Sequence, residues 1–160
     1  NVLDETEIEL ILNPNDFIPC NYTLPDAYIL REFTESDFIG FHKLMLRVNM
    51  GYCPLPYWKH YILPGGFWVV EHIETKNIVG AEFSAIDPHH KNDYVGTLEW
   101  LASDPSHRGL RIGPILASKV AQRLIDEGFT NLRLGTQKHR EVVIRMYARQ
   151  GWKVNSNYSI

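Results

Sequence analysis

The sequence predicts an α/β fold of the α+β kind, with one mixed, mostly antiparallel central sheet flanked by helices. Three observations predict it. Two β-rich runs, residues 67–73 and 78–86, are separated only by the polar Glu74, Thr75, Lys76 and Asn77, and read as an antiparallel hairpin. Further on, Ile112, Leu116, Val120 and Leu124 recur at helical spacing, accompanied by Ile115, Ala117, Ala121 and Ile125. Alternating runs stand on both sides of that helix, and no internal repeat or low-complexity segment interrupts the order.

Taken in chain order, residues 1–27 mix acidic and apolar side chains with Pro14, Pro19 and Pro25, and predict an N-terminal extension packed on a single domain of residues 28–160. A short extended run over residues 28–31 leads to Thr34, with Asp37 three positions on, a helix-start signal for a helix reaching about Asn49. Gly51, Pro54, Pro56 and Pro64 punctuate the next stretch and leave room for one short helix carrying Tyr57, Trp58 and Tyr61. After the hairpin and the polar loop 87–93, residues 95–103 form a strand. Strict alternation puts Leu98, Trp100 and Ala102 on one face and Thr97, Glu99, Leu101 and Ser103 on the other. Gly128 stops the long helix, Leu132, Leu134 and Thr136 alternate as a strand, and residues 141–150 form a helix ended by Gly151, with a last strand over 152–154.

Composition narrows the function classes. A chain of 160 residues with 44% hydrophobic content buries roughly 70% of its unfolded surface as one domain. A net charge of -3 gives no basic field for nucleic acid or anionic membrane, and no apolar run approaches the ~20 residues that span a bilayer. The two cysteines, Cys20 and Cys53, form no metal or redox motif, which fits a cytoplasmic protein. His89 and His90 have no third ligand at metal spacing, so no metal is expected, and His107 reads as an exposed turn histidine.

The chemistry concentrates in Arg108-Gly109-Leu110-Arg111-Ile112-Gly113, between a strand end and a helix start. The first amides of a helix lack intrahelical acceptors and carry the positive end of its dipole, and glycine lets an anion approach the backbone. Pro114 fits because its missing N–H falls in that same turn. Neither a GxGxxG dinucleotide fingerprint nor the Gly-Lys-Ser/Thr ending of a P-loop can be written here.

These residues resemble the signature of the GNAT superfamily of N-acetyltransferases, which reads Gln or Arg, two residues, Gly, one residue, then Gly or Ala. Arg108, Arg111 and Gly113 occupy its three places, and Leu98-Glu99-Trp100-Leu101-Ala102-Ser103-Asp104-Pro105 resembles the family's approach to it. The run from Arg140 to Trp152 resembles the later family helix, which ends in Tyr, three residues, Gly and an aromatic, here Tyr147, Gly151 and Trp152. The likeness covers residues 28–155. Two departures stand out: Arg111 replaces the usual middle glycine, and Arg140 stands where asparagine is frequent. If Arg111 adopts a positive φ, the loop carries about 1–2 kcal/mol of strain. If φ is negative, its amide still serves, and its guanidinium is then a candidate phosphate contact.

The resemblance implies splayed strands forming a coenzyme A cleft, with acetyl-CoA as co-substrate and the amine of a small molecule or peptide as acceptor. It implies that Leu101 and Ser103 offer backbone groups to the pantetheine arm, and that residues 108–113 (Arg108, Gly109, Leu110, Arg111, Ile112, Gly113) hold the pyrophosphate. Arg140 departs from the family's pattern, and as an unmatched cation near its helix start it is a candidate contact for a coenzyme phosphate. Tyr147 matches the tyrosine that protonates the leaving thiolate, and Glu99 the position of a general base. Proton transfer straight from an alkylammonium near 10.4 to a carboxylate near 4.3 is uphill by roughly 8 kcal/mol, so Glu99 requires a raised pKa or a relay through water. The alternative is an acyl-CoA-binding regulatory module with the same fold and no turnover. A homodimer is compatible with either.

Overall fold

The computed structural model describes residues 3–89 and 93–156. Its strands are β1 (Glu7–Leu12), β2 (Tyr28–Glu32), β3 (Ile62–His72), β4 (Ile78–Ile86), β5 (Gly96–Ser103), β6 (Leu132–Gln137) and β7 (Lys153–Val154). They make one sheet in the order β2-β3-β4-β5-β6-β1-β7, in which the β5–β6 pair is parallel and the other neighbours are antiparallel. The helices are α1 (Phe38–Arg47), α2 (Leu55–Trp58), α3 (Ile112–Glu127) and α4 (Glu141–Arg149).

Each face of the sheet has its own core. On one, α3 and α4 bury Leu116, Val120, Leu124 and Tyr147 with Leu98 and Leu134. On the other, Phe41, Leu44 and Met45 of α1 pack with Phe67, Val69 and Phe83. The apolar stripe read from the sequence is the buried face of α3: Ile112, Leu116, Val120 and Leu124 are all at most 2% exposed. Its C-terminus is Gly128 in the left-handed conformation, φ 103. The Thr34 signal begins a 3-10 turn, Glu35–Asp37, that runs into α1, with the Asp37 carboxylate accepting the Thr34 amide at 2.8 Å.

Two expectations about elements require correction. The segment 1–27, expected to lie over the domain, sends β1 into the sheet between β6 and β7, where Leu10 pairs with Leu134 and with Val154. Glu9 is held there by the Arg133 guanidinium at 2.8 Å and the Asn155 amide at 2.7 Å, a cross-strand contact on each side. Secondly, β3 starts at Ile62, five residues before the predicted run, because Pro64, Gly65 and Gly66 bend the strand at an irregularity in its pairing with β4 rather than ending it.

The N-terminal segment also locks the end of α4: the Ile18 amide donates to the Gln150 carbonyl at 3.0 Å. Gly151 follows with φ 102, and a Cβ there would run into the carbonyl of Asp16. Gly151→Ala is therefore expected to cost about 2–3 kcal/mol, a fall of roughly 5–10 °C in Tm by thermal unfolding.

Candidate active site

Strands β5 and β6 pair only at Gly96 with Leu132 and Thr97 with Arg133. Beyond those residues they diverge, opening a cleft of about 820 Å³ walled by residues 98–103 of β5, residues 134–137 of β6, the loop before α3, and α4. On its other side β5 carries a β-bulge. Phe83 pairs with Glu99 and Ala81 with Ala102, so Glu82 alone stands opposite both Trp100 and Leu101. Trp100 takes φ 58, a conformation costing about 1–2 kcal/mol for a side chain of this kind.

That bulge overturns the strict alternation expected of this strand. Leu101 joins Leu98 on the α3 face, whereas Trp100 packs with Ala102 on the α1 face, which Glu99 shares through its pairing with Phe83. One extra residue shifts every later side chain to the opposite face.

At the head of the cleft, Asp104 ends β5 and accepts the Ser106 amide at 2.9 Å, capping the 3-10 turn Pro105–His107, while Arg47 holds its other oxygen at 2.9 Å. The chain then passes through Gly109, φ 80, and Arg111, φ 64, into α3. The first amide of α3 with a backbone acceptor is that of Ile115, on the Arg111 carbonyl at 3.0 Å. No backbone acceptor among the described residues pairs with the amides of residues 109–113. They gather at a helix start, where free amides and the helix dipole suit an anion. Arg111 thus adopts the strained alternative, and its guanidinium is engaged with the N-terminal segment, 4.2 Å above the Tyr22 ring and 3.0 Å from its hydroxyl.

Deep in the cleft three ionisable groups gather. Tyr147, 3% exposed, donates its hydroxyl to Glu82 Oε2 at 2.7 Å. Burial pushes the Glu82 carboxyl up to about 8, opposed by the Tyr147 bond and reinforced by Glu99. Its other oxygen, Oε1, is buried with no hydrogen-bond partner among the described residues. Burial and the neighbouring Glu82 raise Tyr147 well above the ordinary phenol value of 10.0. Glu99 accepts the Thr97 hydroxyl at 2.9 Å and is pushed up to about 7, chiefly by burial, with Asp87 and Glu7 adding repulsion. Cys53 is fully buried, its thiol pushed up to about 12 by burial and Glu99, so it holds its proton and is no nucleophile.

Each candidate catalytic or coenzyme-binding residue named from the sequence lines this one cleft: Glu99, Leu101 and Ser103 from β5, residues 108–113 from the loop and the start of α3, Arg140 at the N-cap of α4, and Tyr147 from α4. Val48, Asn49 and Met50 also line it. Residues 90–92, His90 among them, and 157–160 lie outside the described residues. Among the described residues there is no group of three His, Cys, Asp or Glu that could hold a metal ion, and no helix long and apolar enough to cross a membrane. His107 differs from expectation, being half-buried with Nδ1 2.6 Å from the Tyr28 hydroxyl. Glu82 was missed. Its signal was a lone carboxylate inside the apolar run of β4, where a charge is seldom fully buried without a purpose.

The sequence matches the Acetyltransferase (GNAT) family over residues 28–152. Among solved structures, a GCN5-related N-acetyltransferase from Sphaerobacter thermophilus aligns with a TM-score of 0.72 at 15% identity, covering 93% of this chain and 48% of that one. A tandem GNAT protein from the clavulanic acid biosynthesis pathway aligns at 0.68 and 12% identity, over 92% of this chain and 50% of that one. Arabidopsis thaliana Naa50, in complex with the bisubstrate analogue CoA-Ac-MVNAL, aligns at 0.66 and 16% identity, over 84% of this chain and 90% of that one. At these identities the likeness is one of fold. The chain spans about half the length of the first two. No curated protein matches it.

Proposed function

The chain belongs to the GNAT acetyltransferase family, and from that premise we propose that it moves an acetyl group from acetyl-CoA to a primary amine of a small molecule or peptide by direct attack in a ternary complex. The observation that carries this reading is a single cleft with unpaired amides at one end and the Tyr147, Glu82 and Glu99 cluster within it. In this reading the amides of residues 109–113 take the pyrophosphate, aided by Arg108 and Arg140, and the pantetheine arm runs between β5 and β6 along Leu101 and Ser103. The Leu101 amide, at the bulge, stabilises the developing oxyanion.

With Glu99 raised to about 7, the gap to an alkylammonium near 10.4 narrows to between three and four units, roughly 5 kcal/mol, a step that water in the cleft can relay. Tyr147 gives its proton to the departing thiolate. No cysteine lines the cleft among the described residues, and Cys53 is buried with its thiol pushed up, which favours direct attack over double displacement. A peptide terminus is among the acceptors this reading admits, supported by the peptide-bearing analogue in the Arabidopsis neighbour.

Acetyl-CoA at 100 times its dissociation constant is expected to raise Tm by roughly 5–10 °C, about 2.7 kcal/mol. Thiol release is then measured with an amino acid, a polyamine, an amino sugar and a peptide as acceptors. No shift at millimolar acetyl-CoA rejects the coenzyme site. A shift without thiol release from any acceptor favours a binding module instead.

A further inference from the structure

We propose that Glu82 is the proton reservoir behind Tyr147: as the coenzyme thiolate leaves, Tyr147 gives it the phenolic proton and is refilled by the carboxylic proton of Glu82. The inference rests on the acetyl-transfer reading above and assigns a further catalytic group to the same cleft. Three observations on geometry carry it. Glu82 is the direct partner of Tyr147, at 2.7 Å. Its second oxygen is buried with no donor to it among the described residues, so the Tyr147 hydroxyl is the one hydrogen bond given to this carboxyl and the ionised form is poorly supported. It also stands opposite the bulge at Trp100 and Leu101, on the side of the sheet from which Tyr147 reaches the cleft.

The energetics favour a relay over a lone phenol. If Tyr147 acted alone, the step would leave a phenolate beside a carboxyl group in a fully buried site, where burial already raises Tyr147 well above 10.0. A thiol near 8.5 and a Glu82 carboxyl near 8 are almost level, so transfer from Glu82 through Tyr147 to sulfur avoids the phenolate.

The atoms balance as follows. The neutral amine bonds to the acyl carbon, and the carbon–sulfur bond breaks with its electron pair going to sulfur. Sulfur takes the Tyr147 proton while the carboxyl turns its hydroxyl to the phenolic oxygen. The products of this step are the free thiol, neutral Tyr147 and the Glu82 carboxylate. The proton that the nitrogen sheds in becoming an amide passes through Glu99 and water in the cleft back to Glu82. No net proton is consumed, and no oxidant or reductant is needed.

The ionisable groups acting on Glu82 are Tyr147 from α4 and Glu99 from β5. Its cross-strand neighbour on β3 is Trp68, and α3 approaches β4 with Ile112 and Leu116. Since the relay requires the acid form, the rate falls as pH rises through about 8.

The test uses acetyl-CoA with the amine giving the fastest thiol release in the acceptor panel. Glu82→Gln, which keeps an oxygen for the Tyr147 hydroxyl, is expected to lower kcat by about 10–100-fold and to abolish the descending limb near pH 8, with acetyl-CoA affinity within about twofold. Glu82→Asp restores part of the rate and retains that limb. A Glu82→Gln enzyme with unchanged kcat and the same limb overturns the reservoir while leaving the transferase reading intact. Absence of thiol release from the unsubstituted protein overturns both. If Glu82→Gln does not fold, an Asp variant that keeps full rate but shows no descending limb between pH 7 and 10 overturns the reservoir equally.

Discussion

Tyr147→Phe is expected to lower kcat by about 10²–10⁴-fold while leaving acetyl-CoA binding nearly unchanged. The change removes one oxygen from a side chain whose ring is otherwise held by packing, edge-on to Trp152 with centroids 5.6 Å apart and inside the α3 core. Phe keeps that packing. What is lost is the hydroxyl that donates to Glu82 at 2.7 Å and that the proposed mechanism turns to the departing thiolate, which would then leave unprotonated into a buried site. Glu82 also loses its donor, at a stability cost of about 1–3 kcal/mol, so a modest fall in Tm accompanies the loss of rate. Steady-state thiol release with a parallel Tm measurement separates the effects. A rate within about threefold of the unsubstituted protein, with the fold intact, removes Tyr147 from the chemistry.

The same pair makes a second demand on the data. If Tyr147 and Glu82 act as one relay, the double variant Tyr147→Phe with Glu82→Gln loses no more than Tyr147→Phe alone, because groups that act as a unit are non-additive. Multiplying effects would instead describe two independent roles.

Local pattern carried most of this architecture. The α3 stripe, the hairpin of β3 and β4, and the two motifs that end at Gly113 and Trp152 are short-range signals, and each predicted site residue falls on one cleft because those motifs fix both its walls. What escaped was non-local or irregular. Strand β1 has the alternation of Ile8, Leu10 and Leu12, but its partner β6 lies more than a hundred residues downstream, and nothing near Asn13 and Pro14 announces it. The bulge at Trp100 leaves no mark in composition, since the strand still alternates on paper, yet it reverses which face Leu101 occupies. Glu82 was legible as an anomaly, a charge in an apolar strand, but its meaning depends on α4 bringing Tyr147 across the sheet.

Stability should fall as pH rises from 5 to 9, and Glu82 is expected to be the largest cause. An ordinary glutamate stands at 4.5, whereas burial pushes Glu82 to about 8 and Glu99 to about 7 in the folded chain. Below 4.5 both carboxyls are protonated in the folded and unfolded states alike, and they contribute in full. As pH climbs, the unfolded chain loses these protons first while the folded chain retains them. Each group therefore withdraws about 1.4 kcal/mol per pH unit until its folded value is passed, and the curve flattens above about 8. Other groups act elsewhere or in the opposite sense. Asp37, held low chiefly by Arg31, affects only pH below its ordinary 3.8, and His42, lowered from 6.5 by burial, makes stability rise with pH up to about 6.5. The comparison that isolates Glu82 is thus the difference between the unsubstituted protein and Glu82→Gln in urea at each pH. Glu82→Gln should gain stability relative to the parent as pH rises, by on the order of a few kcal/mol at pH 9, with m unchanged. A flat difference between pH 5 and 9 would mean that Glu82 ionises as freely folded as unfolded, and a freely ionised carboxylate has no proton to lend Tyr147.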